Sequence, residues 1–202
     1  MFRPHETIVC VASGASFSSE QAAAIEQARS HERCRVVAIN DSYRRLPSAD
    51  ILYACDGKWW DVHLERVEAS GFGGELWTQD ARAAQRYALN LVKGRARPGL
   101  CKDPGTIHTG GNSGYQAIGL AYHLGARRTV LVGYDMQKTN GATHWFGEHA
   151  KPLSNAHPYS TWLANFKVLA EDLKEAGVEV VNASLQTALL CFPRADLVEA
   201  LA

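Results

Sequence analysis

The sequence predicts an α/β fold: a doubly wound, mostly parallel sheet with helices on both faces. Three observations carry that expectation. Continuous apolar, β-branched runs recur at residues 7–12 (TIVCVA), 35–40 (RVVAIN), 51–54 (ILYA), 129–132 (TVLV) and 178–181 (VEVV). Strands buried on both faces read this way, and such strands belong to parallel sheets. Helical patterns separate most of these runs, and that alternation implies crossover connections. The runs also end in small or polar residues: Ser13-Gly14, Asn40-Asp41, Asp56-Gly57 and Gly133-Tyr134-Asp135. If the strands are parallel, these ends face one crevice, where open α/β sheets bind ligands.

The elements follow in order. A helix over 18–30 starts with Ser18 or Ser19 as its cap. Residues 58–68 form a second helix, with Trp59, Trp60, Val62 and Val67 available for packing and His63 as a helix-face histidine. Residues 71–74 are a glycine turn, 75–78 a short strand and 81–93 a helix, and 94–104 are expected as a surface loop. Residues 106–108 make a short strand whose His108 is a candidate to line the site. The stretch 109–114 (TGGNSG) is a small polar turn that opens a helix over 115–124, with Ile118, Ala121 and Tyr122 at helical spacing and Gly125 as the stop. Residues 137–158 have little regular pattern, and a segment of that length in a compact domain reads as a lid or binding loop. A helix over 159–176 has Trp162, Phe166, Leu169 and Leu173 along one face. A short helix over 195–201 closes a single nucleotide-binding α/β domain spanning 1–202.

The totals exclude several classes. The chain has 202 residues, 46% apolar and 21% charged, which suits a globular domain with a real core. No apolar run approaches the roughly 18 residues of a membrane span, and the first residues, Met1 to Glu6, lack the apolar core of a signal peptide. Formal net charge is zero, so there is no basic field of the kind a general nucleic-acid grip needs. The local cluster Lys93-Gly94-Arg95-Ala96-Arg97 reads first as a solvated loop. The five cysteines, Cys10, Cys34, Cys55, Cys101 and Cys191, form no C-x-x-C pair, which argues for free thiols in a reducing, cytoplasmic setting. A homo-oligomer is compatible with all of this.

The chemistry centres on residues 109–136. Free N–H groups where Ser113-Gly114 open a helix attract phosphate or carboxylate. Hydroxyls of Tyr134 or Tyr159 are candidates to reach the same group. The segment His144-Trp145-Phe146-Gly147-Glu148-His149 has an H-x-x-x-x-H spacing that matches no standard metal motif, so no metal site is expected.

The order of these motifs resembles the bacterial sialyltransferase family with a Rossmann-like variant of the GT-A fold, and related phage-encoded proteins. The likeness rests on the small-residue turn after the first strand (9–16), the strand ending in Asn40 and the third strand ending at Asp56. It continues with Asn112-Ser113-Gly114-Tyr115, the strand ending in Gly133-Tyr134-Asp135, the aromatic and histidine segment, and Val180-Val181-Asn182. The resemblance implies a nucleotide-sugar donor, CMP-linked, an acceptor hydroxyl, no required cofactor or metal, and a lid histidine as general base. His149 best matches that base, with His144 as alternative. Ser13, Gly14, Asn40, Asp56, Ser113 and Gly114 match nucleotide contacts, and Asn112, Tyr134 and Asp135 adjoin them. Two other readings stay open. One is an Mg²⁺-dependent diphosphotransferase of related fold, with Asp56 and Asp135 on the metal. The other is a nucleotide-binding module without catalysis.

Overall fold

The computed structural model describes residues 7–149, 153 and 158–202. The signal-peptide reading of residues 1–6 lies outside the described residues, as do 150–152 and 154–157 of the expected lid. In chain order the elements are β1 (Thr7–Val11), α1 (Ser19–Ser30), β2 (Arg35–Ile39), a 3₁₀ turn (Asn40–Arg44), β3 (Ile51–Tyr53), α2 (Gly57–Ala69), β4 (Glu75–Thr78), α3 (Ala81–Tyr87) and β5 (Asn90–Leu91). The chain continues with β6 (Lys93–Arg95), β7 (Thr106–His108), α4 (Ser113–His123), β8 (Arg128–Val132), α5 (Tyr159–Glu175), β9 (Glu179–Asn182) and α6 (Leu197–Ala200).

Seven strands form one sheet in the order β5-β4-β3-β2-β1-β8-β9, and β6 pairs with β7 in a separate ribbon. Every pairing is parallel. β1 lies inside the sheet, with Val9 opposite Val36 on one side and Val130 on the other. From β1 the chain winds outward through β2 to β5, and it later returns to the opposite side of β1 as β8 and β9. The point where strand order reverses is therefore between β1 and β8, which is where such sheets open a crevice.

Alternation along the strands divides the core in two. Val9, Val11, Val36, Ala38, Leu52 and Val130 pack against Ile25 of α1, Trp60 of α2 and Leu197 of α6. Ile8, Cys10, Val37, Ile39, Tyr53 and Leu131 face Ile118 of α4 and Phe166 and Leu169 of α5. Both faces of each central strand are thus buried, which is why these runs are continuously apolar rather than alternating. The doubly wound α/β expectation holds.

Three boundaries differ from expectation. The helix expected over 81–93 stops at Tyr87, because Ala88 takes a left-handed conformation (φ 54°) as its C-cap, and the chain then enters β5. The loop expected over 94–104 begins inside β6, whose pairing with β7 gives Lys93–Arg95 a backbone partner. The last helix is shorter, starting after Asp196, whose side chain accepts from the N–H groups of Val198 and Glu199. Ser18 caps α1 by accepting from the Gln21 N–H.

The cysteines are free and mostly buried. Burial pushes the Cys10, Cys34 and Cys55 thiols up to about 12, and raises the Tyr53 and Tyr134 hydroxyls well above their usual value. With folded values above the unfolded ones, the unfolded chain ionises first. The stability these groups contribute is complete below about pH 8.5 and is lost as pH rises through the folded values. The urea midpoint should therefore fall steadily between pH 9 and 11, while iodoacetamide leaves Cys10, Cys34 and Cys55 unlabelled at pH 8. Rapid native labelling of these thiols would contradict this account of the core.

Candidate functional site

The site is built where the strands end. Beyond β1, Ala12 donates to the Val132 carbonyl (2.8 Å) and Gly14 to the Gly133 carbonyl (2.9 Å), so the loops after β1 and β8 leave side by side. Asp135 joins them. Its buried carboxylate accepts from the Ser16 N–H (2.8 Å), the Ser16 hydroxyl (2.6 Å) and the Thr139 hydroxyl (2.7 Å). A Cβ on Gly14 would run into the Asp135 carboxylate and the Gly133 carbonyl, which is why glycine stands there.

β2 ends at Asn40, held in the left-handed region (φ 50°), an uncommon conformation for a side-chain-bearing residue and one that collects at functional sites. β3 ends in Cys55 and Asp56. Asp56 occupies the N-cap position of α2, yet its side chain makes no capping bond, and the residue is exposed. At α4 the turn needs Gly110 and Gly111 in positive φ. Asn112 then caps the helix by accepting from the Tyr115 N–H (2.9 Å). This leaves the first N–H groups, those of Ser113 and Gly114, without intrahelical acceptors. The Ser113 hydroxyl accepts from the Cys55 N–H (3.2 Å) and lies 3.5 Å from Asn40 Oδ1, tying the α4 start to the ends of β2 and β3.

The segment after β8 folds back over this crevice. His144 forms an antiparallel bridge with Gly14, and Trp145 donates to the Ser13 carbonyl (3.2 Å). His144 Nδ1 sits 3.2 Å from the Ser13 hydroxyl. The His144 ring stacks on Phe146 with centroids 5.1 Å apart, and His149 lies 4.7 Å from His144 and 5.0 Å from Phe146. Trp145 lies under the Arg45 guanidinium at 4.0 Å, a cation–π contact that fastens the segment to the 3₁₀ turn after β2.

Together these elements enclose a cavity of about 580 Å³. Ser13, Gly14, Asn40, Asp56, Asn112, Ser113, Gly114, Asp135, His144 and His149 all line it. Tyr134 does not. It is fully buried, its hydroxyl donates to the Gly114 carbonyl (2.9 Å), and its N–H donates to the Ser184 hydroxyl (2.8 Å). It supports the α4 start from behind. His108 is also turned away, with Nδ1 3.1 Å from the Gly99 carbonyl. Asp135 forms part of the wall, but three donors already occupy its carboxylate.

Sequence reasoning missed Gln79, Gln116 and Trp162, which line the cavity too. Gln79 follows β4, and the polar ending of that strand carried the same signal as the other four. Gln116 is held by the Tyr53 hydroxyl (2.5 Å) and donates to the Thr109 carbonyl (3.1 Å). Trp162 lies on the apolar stripe of α5, and nothing local distinguishes a stripe residue at a cavity rim from one in the core.

Neither lysine nor arginine is among the described lining residues. Among the described residues, anion attraction comes from backbone N–H groups, hydroxyls, amides and imidazoles. That suits a ligand with a single phosphate better than a triphosphate. The Cys55 thiol, pushed to about 12 by burial, is not a nucleophile. Burial also raises the Tyr159 hydroxyl, so it stays protonated and able to donate at neutral pH. No family model, curated protein or solved structure matches the chain.

Gly14→Ala should destabilise the fold by about 1–3 kcal/mol through overpacking, visible in calorimetry as a Tm lower by several degrees. An unchanged Tm would mean that the two loops are not in rigid contact.

Proposed function

We propose that the protein is a nucleotide-dependent glycosyltransferase, sialyltransferase-like, that moves a sugar from a nucleotide-sugar donor to an acceptor hydroxyl. The observation that supports this best is a single cavity that combines an imidazole pair on a covering segment with an open helix N-terminus and, among the described residues, no lysine or arginine. Asn40 and Asp56, at adjacent strand ends, suit the base and ribose of the nucleotide. The N–H groups of Ser113 and Gly114 face the linking phosphate.

In the transfer step the acceptor oxygen bonds to the anomeric carbon of the donor. The bond from that carbon to the phosphate oxygen breaks, and the phosphate leaves with the electron pair. The hydroxyl proton passes to the His149 imidazole, a base of suitable strength near neutral pH. His144, held against Ser13, orients the covering segment that carries His149. That segment limits the water that would otherwise hydrolyse the donor. A CMP-linked donor, which brings only one phosphate, agrees with a described lining that holds no lysine or arginine.

The diphosphotransferase alternative needs Asp56 and Asp135 together on Mg²⁺. The three donors on Asp135 weigh against that role. A non-catalytic module remains the other alternative, and it would bind nucleotide without turnover.

Two measurements test the reading. A thermal-shift screen of CMP, UDP, GDP, ADP and their sugar conjugates should give a selective shift with a cytidine nucleotide that does not depend on Mg²⁺; a ligand at 100 times its Kd stabilises by about 2.7 kcal/mol. His149→Ala should lower turnover of the selected donor by at least about 10²-fold with nucleotide binding retained. Undiminished turnover in that variant removes His149 as the base, and a strict Mg²⁺ requirement abolished by Asp135→Asn would favour phosphotransfer instead.

A further inference from the structure

A second cavity, of about 320 Å³, lies beside the first and is lined by Asp41, Tyr43, Arg44, Pro47, His63, Arg66 and Ser70. His63 points from α2, and its side chain is more than nine-tenths buried. It stacks on Trp59 with centroids 4.7 Å apart and rings nearly parallel. Its Nδ1 has no hydrogen-bond partner among the described residues. Asp41 Oδ1 is 4.0 Å away, beyond hydrogen-bond reach. Asp41 is itself buried and already engaged, accepting from Trp59 Nε1 at 3.2 Å and pairing with Arg44 at 3.5 Å.

A buried imidazole nitrogen without a partner is costly in a finished core. His63 is one of the residues lining the second cavity, so its ring senses what occupies it. The other charges there are the Arg44 and Arg66 guanidiniums against the one Asp41 carboxylate, which leaves an excess of positive charge. The cavity volume is in the range of small-ligand sites. An arginine pair with a ring N–H donor suits the planar or tetrahedral oxygens of a carboxylate or phosphate.

Its position relates it to the first cavity. Asn40 and Asp41 are consecutive, and each lines one of the two. Arg44 lies 5.8 Å from the Phe146 ring, which lies 5.0 Å from His149. Burial chiefly lowers the His63 ring below its usual value; Asp41 opposes that, and Arg66, His149 and Arg44 add to it. The aromatic segment therefore lies near both cavities; the described lining of the first holds no lysine or arginine, and that of the second holds two arginines.

We propose that the cavity lined by Arg44, His63 and Arg66 is an oxyanion site that receives the phosphate or carboxylate of an anionic acceptor sugar. The acceptor role rests on the glycosyltransferase reading, whereas anion binding does not.

The test follows the His63 ring by NMR in uniformly ¹⁵N-labelled full-length protein, the signal being assigned by its loss in His63→Gln. Glucose 6-phosphate, glucuronate and neutral glucose are titrated separately. Saturable movement of the His63 signal with either anion and none with glucose is expected, and the anion that acts distinguishes phosphate from carboxylate. Arg66→Gln, an exposed change that leaves the covering segment untouched, should weaken that response at least about tenfold. No response to either anion, an equal response to glucose, or an undiminished response in Arg66→Gln would each overturn the site. CMP binding is read in parallel by thermal shift. A His63 response without any nucleotide binding would keep the anion site and overturn its acceptor role.

Discussion

A charged carboxylate can remain buried only where donors converge on it, and Asp135 meets that condition at the point where β1 and β8 part. Its three donors come from the loop after β1 and the loop after β8. Charge-assisted hydrogen bonds of this kind are among the stronger ones, and a buried charge that loses them is heavily penalised. The two loops are therefore locked to each other. Gly14 must be a glycine because of that contact, and the segment carrying His144 and His149 starts only a few residues beyond Thr139. Much of the geometry of the first cavity depends on this junction.

The opposite wall is set by the start of α4. Its position comes from behind, through the Tyr134 hydroxyl on the Gly114 carbonyl, and from the side, through Ser113 and the Cys55 N–H. Side chains here fix the backbone, and the backbone N–H groups remain for a ligand. A wall of this kind presents partial positive charge without any lysine or arginine. It favours a modestly charged ligand held by directed hydrogen bonds over a polyphosphate held by charge.

The covering segment is tied twice at the start of its aromatic stretch. Ser13 holds His144, and Arg45 holds Trp145. Cation–π contacts at a partly exposed surface contribute on the order of 1 kcal/mol each, enough to bias a closed arrangement and too little to prevent opening. The arginines that fasten this segment rise from the turn that also carries Asn40 and Asp41. A single short turn thus serves the first cavity, the second cavity and the cover between them.

Much of this was legible in the chain itself. Uninterrupted apolar runs such as 7–12 and 35–40 identify strands buried on both faces, because an alternating strand would leave one face wet. Ser18 and the glycine turn before Ser113 mark helix starts through local hydrogen bonding, and polar residues after the strands mark the crevice once the strands are parallel. These signals are local, so sequence by itself determined the fold class, the strand ends and ten of the residues that line the first cavity. What a polar group does at such an end depends on neighbours far away in the chain. Tyr134 turns inward because the Gly114 carbonyl, twenty residues earlier, lies behind it. Asp135 becomes a fastening because Ser16 lies across the sheet. His63 meets Asp41 only because α2 packs over the end of β2. Tertiary structure alone decided these, since the free energy of a buried polar group is set by the partners that packing delivers and not by its place in the sequence.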